Sequence, residues 1–188
     1  SGTMQAHTEG SSLLALQIGL NAQNALVACD LAYNGLPGLK GILEGRFGYF
    51  GLIEATGDIH SVLPTLKQNW RINEVAHKPF PSGRATHGIV DAIRELQMHN
   101  EIDAKEVVHL EARVPSLINH LVGRQVHDKM EISYARLNGQ YAAAVMLRNK
   151  FIGIHDYTNE AIRNKTTIDL AKKVEIIVND NPDPNALS

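Results

Sequence analysis

The stretch from His77 to His87 concentrates side chains that bind anions. Its sequence is HKPFPSGRATH, and it carries four potentially cationic side chains, those of His77, Lys78, Arg84 and His87. The two prolines and the glycine predict an ordered loop that leads into the N-terminus of a helix. Backbone N–H groups and the helix dipole at that point favour negative charge. The pattern predicts a binding site for a small ligand rich in carboxylate or phosphate groups.

Proton transfer is a further possibility at this loop. A lysine held near other cations and partly removed from water has a lowered pKa and can exchange a proton with a ligand. The alternative interpretation is an exposed, solvated basic loop in which the Thr86 side chain caps the following helix. The residue types alone leave both interpretations open.

Other catalytic chemistries find little support in the sequence. Nine histidines suggest a metal site, but none forms a His-x-x-x-His pair on a predicted helix, and no compact His and carboxylate pattern exists. A Gly-x-Ser-x-Gly motif is absent. Because Cys29 is the only cysteine, an intrachain disulfide and a Cys-ligated cluster are excluded. We expect Cys29 to lie on an apolar helix, with its side chain buried in a core. We expect neither a nucleophilic nor a zinc hydrolase.

The composition limits the class of protein. The 188 residues include 18 Lys plus Arg against 20 Asp plus Glu, which gives a net charge of −2. A nearly neutral chain does not hold nucleic acid or an anionic membrane by bulk charge. The aromatic content of 5% makes base stacking improbable, and no apolar run reaches the roughly 20 residues of a membrane span. We expect a soluble, cytoplasmic protein with neither nucleic acid nor a membrane as partner.

Apolar periodicity predicts the elements that position the loop. Residues 12–34, rich in Ala and Leu, predict a helix buried on nearly all sides, and the glycines that follow predict turns with one short helix over Leu39–Leu43. The other predicted elements are helices over 87–99, 115–122, 134–148 and 158–171, and strands over 105–114 and 174–178.

Two segments of different character follow from these elements. Residues 58–188 read as an α+β domain with antiparallel-type strands and packed helices. Residues 1–57 read as helical material that belongs to a different core. Because the chain ends in the turn-rich residues 182–188, we expect it to be a piece of a longer polypeptide.

Three motifs resemble one family. Lys78-Pro79-Phe80-Pro81 followed by Ala85-Thr86-His87 resembles the lid-domain signature of the MmgE/PrpD family, which comprises 2-methylcitrate dehydratases, cis-aconitate decarboxylases and iminodisuccinate epimerases. Residues 35–50, which end in LEGRFGYF, resemble the family stretch LEG-x-x-G-F-F/Y after its Ala-rich helix. Residues 135–144, ARLNGQYAAA, resemble the helix that carries the family's lid tyrosine. The motifs occur in the family's order.

The resemblance implies a fold and an activity. Residues 1–57 would end the N-terminal segment of an all-helical domain, and residues 58–188 would form most of an α+β lid, with the active site between the two. The implied enzyme is a homodimer that needs no cofactor and abstracts a proton α to a carboxylate of a small di- or tricarboxylate. Since the family's catalytic Asp, Thr and His would lie upstream, we expect this chain alone to be inactive.

The resemblance also assigns roles to particular residues. Lys78 matches the lid lysine, which neutralises a substrate carboxylate, and His87 matches a histidine that orients Lys78 or contacts the substrate. Tyr141 matches the lid tyrosine, whose hydroxyl would bind a carboxylate or act as an acid; the alternative for it is ordinary helix packing. His77 and Arg84 are expected to bind substrate at the same loop, although Arg84 lies where family members differ.

One departure from the family pattern concerns a second lysine, followed by His-x-Gly, near the start of the Ala-rich helix. A gapless alignment puts Leu14 at that lysine, Gln17 at the histidine and Gly19 at the glycine. With Leu14 in place of the lysine, we expect a substrate or a reaction different from the dehydration of 2-methylcitrate. The segment from His7 to Gly10 could supply other polar groups.

Two alternative functions therefore stay open. The first is a non-catalytic anion-binding or assembly module derived from the same family, which Leu14 favours. The second is an unrelated phosphate-binding domain, which would require Lys78 and Arg84 to hold phosphate.

Overall fold

The computed structural model describes residues 3–53 and 59–180. The chain divides into two compact units, one formed by residues 1–19 and 78–188 and the other by residues 20–77. The assignment of residues 1–57 and 58–188 to two domains of a longer protein stays a prediction. The predicted connector at residues 182–188 lies outside the described residues.

Helices make up most of the regular structure. The helices are α1 (Gln5–Thr8), α2 (Leu13–Tyr33), α3 (Tyr49–Leu52), α4 (Ile59–Val62), α5 (His87–His99), α6 (Ser116–Val122), α7 (Ile132–Arg136), α8 (Gly139–Asn149) and α9 (Lys165–Ala171), and the strands are β1 (Leu110–Val114) and β2 (Val174–Val178). Single 3₁₀ turns lie at Leu63–Thr65, Arg71–Glu74, Arg84–Thr86, Ile154–Tyr157 and Ala161–Arg163. The mixed, helix-rich α+β class is confirmed.

The expected antiparallel arrangement of the strands is wrong. β1 and β2 pair in parallel, with Leu110 opposite Val174 and Val114 opposite Val178. Alternating hydrophobicity indicates which side chains share a face, but it carries no information on strand direction. Parallel neighbours need a long crossover connection, which the helices between residues 115 and 173 provide here.

Helix α8 forms the centre of the core. Every residue from Gly139 to Leu147 is buried, and the helix contacts α5, α9 and β2. A Cβ atom on Gly139 would lie 2.5 Å from Cδ1 of Ile176, so α8 approaches β2 closely here and a larger residue would displace the Ile176 side chain. The start of α8 is thereby fixed against the sheet.

The helix boundaries partly follow the periodicity. The predictions for 87–99, 115–122 and 174–178 are confirmed to within one residue. The predicted helix 134–148 is instead two helices, α7 and α8, because Asn138 adopts extended angles and caps α8. The predicted helix 158–171 begins only at Lys165, where Asn164 is the cap. The first predicted strand shortens to Leu110–Val114, after a turn at residues 104–106.

The Ala- and Leu-rich helix α2 has the predicted length but not the predicted burial. None of its side chains is buried, and Cys29 is exposed, so the expectation that Cys29 lies in a core is wrong. Apolar residues on every face indicate that a helix needs neighbours, but they do not say which chain supplies them. Within residues 3–53 and 59–180, no helix combines the length and apolar character that a bilayer span requires.

The short helix expected over Leu39–Leu43 is absent, and turns take its place. The N–H of Gly45 donates to the carbonyl of Gly41 at 2.9 Å, and that of Tyr49 donates to Ile42 at 2.8 Å. Glycine loses more conformational freedom in a helix than other residues, so this glycine-rich stretch favours turns.

Candidate functional site

The loop from His77 to His87 is fixed to the core in its second half. The N–H of Gly83 donates to the carbonyl of Arg136, at the end of α7, over 2.8 Å. The hydroxyl oxygens of Ser82 and Thr86 lie 2.7 Å apart, and both side chains are buried. The loop therefore holds a defined conformation against α7.

Thr86 does not cap helix α5. Its backbone already has helical angles, φ −82° and ψ −17°, and its hydroxyl donates to the carbonyl of Gly83 over 2.9 Å. The capping role is lost because the 3₁₀ turn Arg84–Thr86 leads directly into α5. The side chain stabilises the loop instead of the first turn of the helix.

His87 lies behind the loop, against Phe80. The two rings meet edge to face, with centroids 5.3 Å apart and planes at 88°, and the His87 side chain is largely buried. Burial lowers the pKa of His87, the positive charge of Lys78 lowers it further, and hydrogen bonding to the Ser82 backbone and the charge of Asp91 oppose this. Burial of this side chain therefore favours the neutral imidazole of His87.

We call the exposed cationic side chains of the loop, those of His77, Lys78 and Arg84, the rim. His77, Lys78 and Arg84 all lie at the surface, on either side of the buried Phe80. Among the described residues, no carboxylate lies within ion-pair distance of these three side chains. Their charges are free to bind an anion from solution, and the fixed loop limits the entropy that they lose on binding.

Tyr141 lies in the core and not at the rim. Its side chain is 1% exposed, and its hydroxyl donates to the carbonyl of Asp156 over 2.6 Å. Burial, followed by the neighbouring Tyr157 and Asp156, raises the pKa of Tyr141, so the group stays protonated and acts as a donor. The structure does not bring this hydroxyl together with the exposed cations, and its role toward a substrate stays a prediction.

Tyr157 packs against Tyr141 and Arg136, a position that no pattern in the sequence indicates. Its ring centroid lies 5.8 Å from that of Tyr141, and the guanidinium carbon of Arg136 lies 5.9 Å from its centre. Burial raises the pKa of Tyr157 to about 12, and its buried hydroxyl has no hydrogen-bond partner among the described residues. The Tyr157 ring thus packs between Tyr141 of α8 and Arg136, to whose carbonyl the loop is bonded.

Asn138 fixes the position of Tyr141 on α8. Its side-chain oxygen accepts from the N–H of Tyr141 at 2.7 Å, and its amide nitrogen donates to the carbonyl of Arg124 at 2.9 Å. Asn is among the preferred residues at the N-cap of a helix. The position of Asn138 just before an Ala-rich segment was a signal that could have identified this residue from the sequence.

The parts of the chain that the structure describes contain no group of three or more His, Cys, Asp or Glu side chains arranged to hold a metal ion. The chemistry available at the loop is anion binding by ammonium and guanidinium groups beside a neutral imidazole. Such groups stabilise carboxylates in the ground state and charge that develops on them during a reaction.

Comparison with known proteins identifies the family. The model of the MmgE/PrpD C-terminal domain matches residues 80–186, more than half of the chain. Cis-aconitate decarboxylase of Mus musculus is 29% identical over 170 residues, and that of Homo sapiens is 28% identical over 171 residues. Each match covers 86% of this chain and 34% of the relative, so the chain spans about a third of the length of these curated relatives. The chain belongs to the MmgE/PrpD family.

Proposed function

We propose that this chain is the polycarboxylate-binding part of a cofactor-independent lyase or isomerase of the 2-methylcitrate dehydratase type. The observation that carries the proposal is the pair of exposed, unpaired cations, Lys78 and Arg84, on a loop fixed to α7 through Gly83. The curated relatives support it, since their name states the decarboxylation of cis-aconitate, a tricarboxylate.

The proposed reaction begins when a general base, supplied by the rest of the complete enzyme, takes the proton α to a carboxylate. The electron pair of the broken C–H bond moves onto the carboxylate, where the growing negative charge needs stabilisation. Arg84 can hold two carboxylate oxygens at once, and Lys78 supplies a compact positive charge. Because the cations are placed before the reaction, they lower the barrier without reorganisation of solvent.

The remaining predicted site residues take supporting roles in this proposal. His87 lies behind the loop against Phe80, and we propose that it orients Lys78 or contacts the substrate. His77, the residue before Lys78 in the sequence, is proposed to bind substrate as well. Tyr141 contributes as an acid only if its hydroxyl exchanges the bond to Asp156 for one to a substrate oxygen.

Binding of citrate tests the proposal directly. Calorimetric titration of citrate into the chain is compared for the wild type, Lys78→Gln, Arg84→Gln and the control Lys129→Gln, whose exposed lysine lies outside the loop. Each loop substitution removes one exposed charge–charge contact of about 0.5–1 kcal/mol, so the affinity falls about two- to fivefold. An affinity that Lys129→Gln lowers as much as Lys78→Gln contradicts the proposal.

Turnover is expected to need more than this chain. The chain spans about a third of its relatives, and the proposal assigns it binding and not the complete catalytic set. It should bind 2-methylcitrate, cis-aconitate or iminodisuccinate and leave each unchanged. Robust turnover by this chain alone would contradict this division of roles.

A second candidate function is a non-catalytic anion-binding or assembly module. The observation that favours it is Leu14 at the position of the family's second lysine; its half-buried side chain lies near the start of α2. Both candidates bind citrate, but only the enzyme converts a polycarboxylate when the chain is part of a complete family-length polypeptide. A titration that favours inorganic phosphate over citrate would instead support the unrelated phosphate-binding domain.

The proposal also includes a homodimer. Helix α2 exposes Leu16, Ile18 and Leu26, and an apolar surface of this kind promotes association. Sedimentation velocity measures this: self-association that increases with concentration is expected, and a monomer at every concentration would contradict it. A cytoplasmic location stays a prediction.

A further inference from the structure

A short N-terminal segment, residues 5–10, packs over Arg124; we call it the strap. It comprises α1 and the turn that follows, and Ala6 is its buried anchor. The Arg124 guanidinium donates from one nitrogen, Nη2, to the carbonyl of His7 at 2.9 Å and to that of Leu121 at 2.8 Å. The strap is therefore attached to the same unit that carries the loop.

Gly10 allows the strap to lie directly on the guanidinium. Its φ of +67° is one that side-chain-bearing residues rarely adopt, and a Cβ atom there would lie 2.6 Å from Nη1 of Arg124 and 2.8 Å from the Tyr134 ring. Glycine is thus required both for the turn and for the close packing.

Two buried nitrogen atoms under the strap have no hydrogen-bond partner among the described residues. They are Nη1 of Arg124 and Nδ1 of His7. The first is always a donor, whereas the second accepts a hydrogen bond when the imidazole is neutral and its proton is on the other nitrogen. While His7 is neutral, Nδ1 can accept a hydrogen bond; once the imidazole is protonated, this nitrogen can only donate, as the guanidinium does.

The charges around His7 are positive. Burial lowers the pKa of His7, and Arg124 and His120 lower it further. Tyr134, the titratable group on α7, packs its ring against the guanidinium at 5.3 Å. On the strap itself, the Glu9 carboxylate accepts a hydrogen bond from the Gln5 amide at 2.6 Å.

We propose that the strap is a pH-sensitive clasp, closed over Arg124 while the His7 imidazole is neutral and released when that imidazole gains a proton. Protonation turns Nδ1 into a donor and puts a second positive charge beside the Arg124 guanidinium, which is bonded to the His7 carbonyl, and no carboxylate of the described residues forms an ion pair with either cation. Like charges in a partly buried site repel and lose their hydration, so the closed strap becomes unfavourable. Release exposes the guanidinium to solvent.

The direction of the pH dependence follows from linkage. The pKa of His7 in the closed strap lies below the ordinary 6.5, so the closed state binds fewer protons than the open one. The stability of the closed strap is complete above pH 6.5 and falls as the pH decreases from there. The fall is at most about tenfold in the closing equilibrium per pH unit, until the lowered pKa is reached.

Amide hydrogen exchange of the complete chain measures strap opening. The N–H groups of Thr8, Glu9 and Ser11 are bonded to the carbonyls of Met4, Gln5 and Ala6. Their exchange, corrected for its intrinsic pH dependence, reports the open fraction. Between about pH 7.5 and pH 5.5 their protection should fall several-fold, whereas the amides of α8 should keep theirs. Protection that does not change with pH overturns the proposal.

Three variants complete the test. His7→Gln keeps a neutral side chain at every pH, so the pH dependence of strap protection should disappear. His99→Gln removes an exposed histidine at the end of α5 and should leave that pH dependence unchanged. Gly10→Ala should open the strap at every pH, which identifies the exchange signal of the open state. A fall of protection that persists in His7→Gln, or that extends to α8, overturns the proposal.

Discussion

The hydroxyl oxygen of Ser82 lies 2.7 Å from that of Thr86, and both side chains are buried at the base of the cationic loop. This contact joins the segment before Gly83 to the start of α5. Arg84 is therefore carried on a backbone that is already ordered. A loop ordered in this way pays less entropy when it binds a ligand than a flexible one.

Substitution of either hydroxyl should destabilise the protein and weaken anion binding together. Thr86→Val leaves the buried Ser82 hydroxyl without its Thr86 partner, which costs about 1–3 kcal/mol of unfolding free energy, whereas Ser82→Ala leaves the Thr86 hydroxyl bonded to the Gly83 carbonyl and should cost less. Because the two groups touch, the double variant should lose less than the sum of the single ones. Denaturant unfolding and citrate titration measure both effects.

Ser116→Ala is the control for this pair, since Ser116 is an exposed residue at the start of α6. It should change neither quantity. Additive losses in the double variant, or citrate affinity that is unchanged in Ser82→Ala, would argue against a role of the contact in ordering the loop.

The pKa of His87 should rise when Lys78 is replaced by glutamine. Burial is the main cause of the lowered pKa, but the Lys78 charge adds to it, so removal of that charge relieves part of the shift. The NMR titration of the His87 imidazole measures the change, and Lys129→Gln serves as the control. An unchanged pKa in Lys78→Gln would mean that the ammonium lies too far from the imidazole for His87 to influence it.

Asn138 and Asn164 offer a matched comparison of helix caps. Both accept a backbone hydrogen bond at the start of a helix, but Asn138 is completely buried and also bonds the carbonyl of Arg124. A cap alone contributes about 0.5–2 kcal/mol. We expect Asn138→Ala to lower the unfolding free energy more than Asn164→Ala, and equal losses in chemical denaturation would contradict the role of Asn138 as a buried link.

Tyr141→Phe separates the two roles of the lid tyrosine. Loss of the hydrogen bond to Asp156 should lower the unfolding free energy by about 1 kcal/mol. The control is Tyr134→Phe, which removes a more exposed bond to the carbonyl of Gln125 and should cost less. Citrate affinity that stays unchanged in Tyr141→Phe assigns the hydroxyl to packing, whereas a lower affinity assigns it to the ligand.

The sequence predicted the regular elements better than their ends and neighbours. Periodicity identified α5 and β2 because each buries one face in a simple repeat. It missed the break between α7 and α8, since the side-chain hydrogen bond of Asn138 has no periodic signature. The parallel direction of β1 and β2 was equally inaccessible, because both directions produce the same alternation.

The candidate site was predictable where it depends on local sequence. The charges of Lys78 and Arg84 and the stiffness of their loop are properties of neighbouring residues. The contacts of Ser82 with Thr86 and of Tyr157 with Tyr141 depend on the tertiary packing. The burial of Tyr141, like the exposure of α2, depends on which neighbours the fold supplies.

The most direct measurement is an NMR map of citrate binding on the backbone amides of the chain. The account predicts that the largest shifts fall on the amides of residues 77–87, proline positions excepted, and disappear in the Lys78→Gln/Arg84→Gln double variant. Shifts that leave this loop unchanged and fall instead on the cavity lined by Lys105, Lys150 and Lys173 would contradict it.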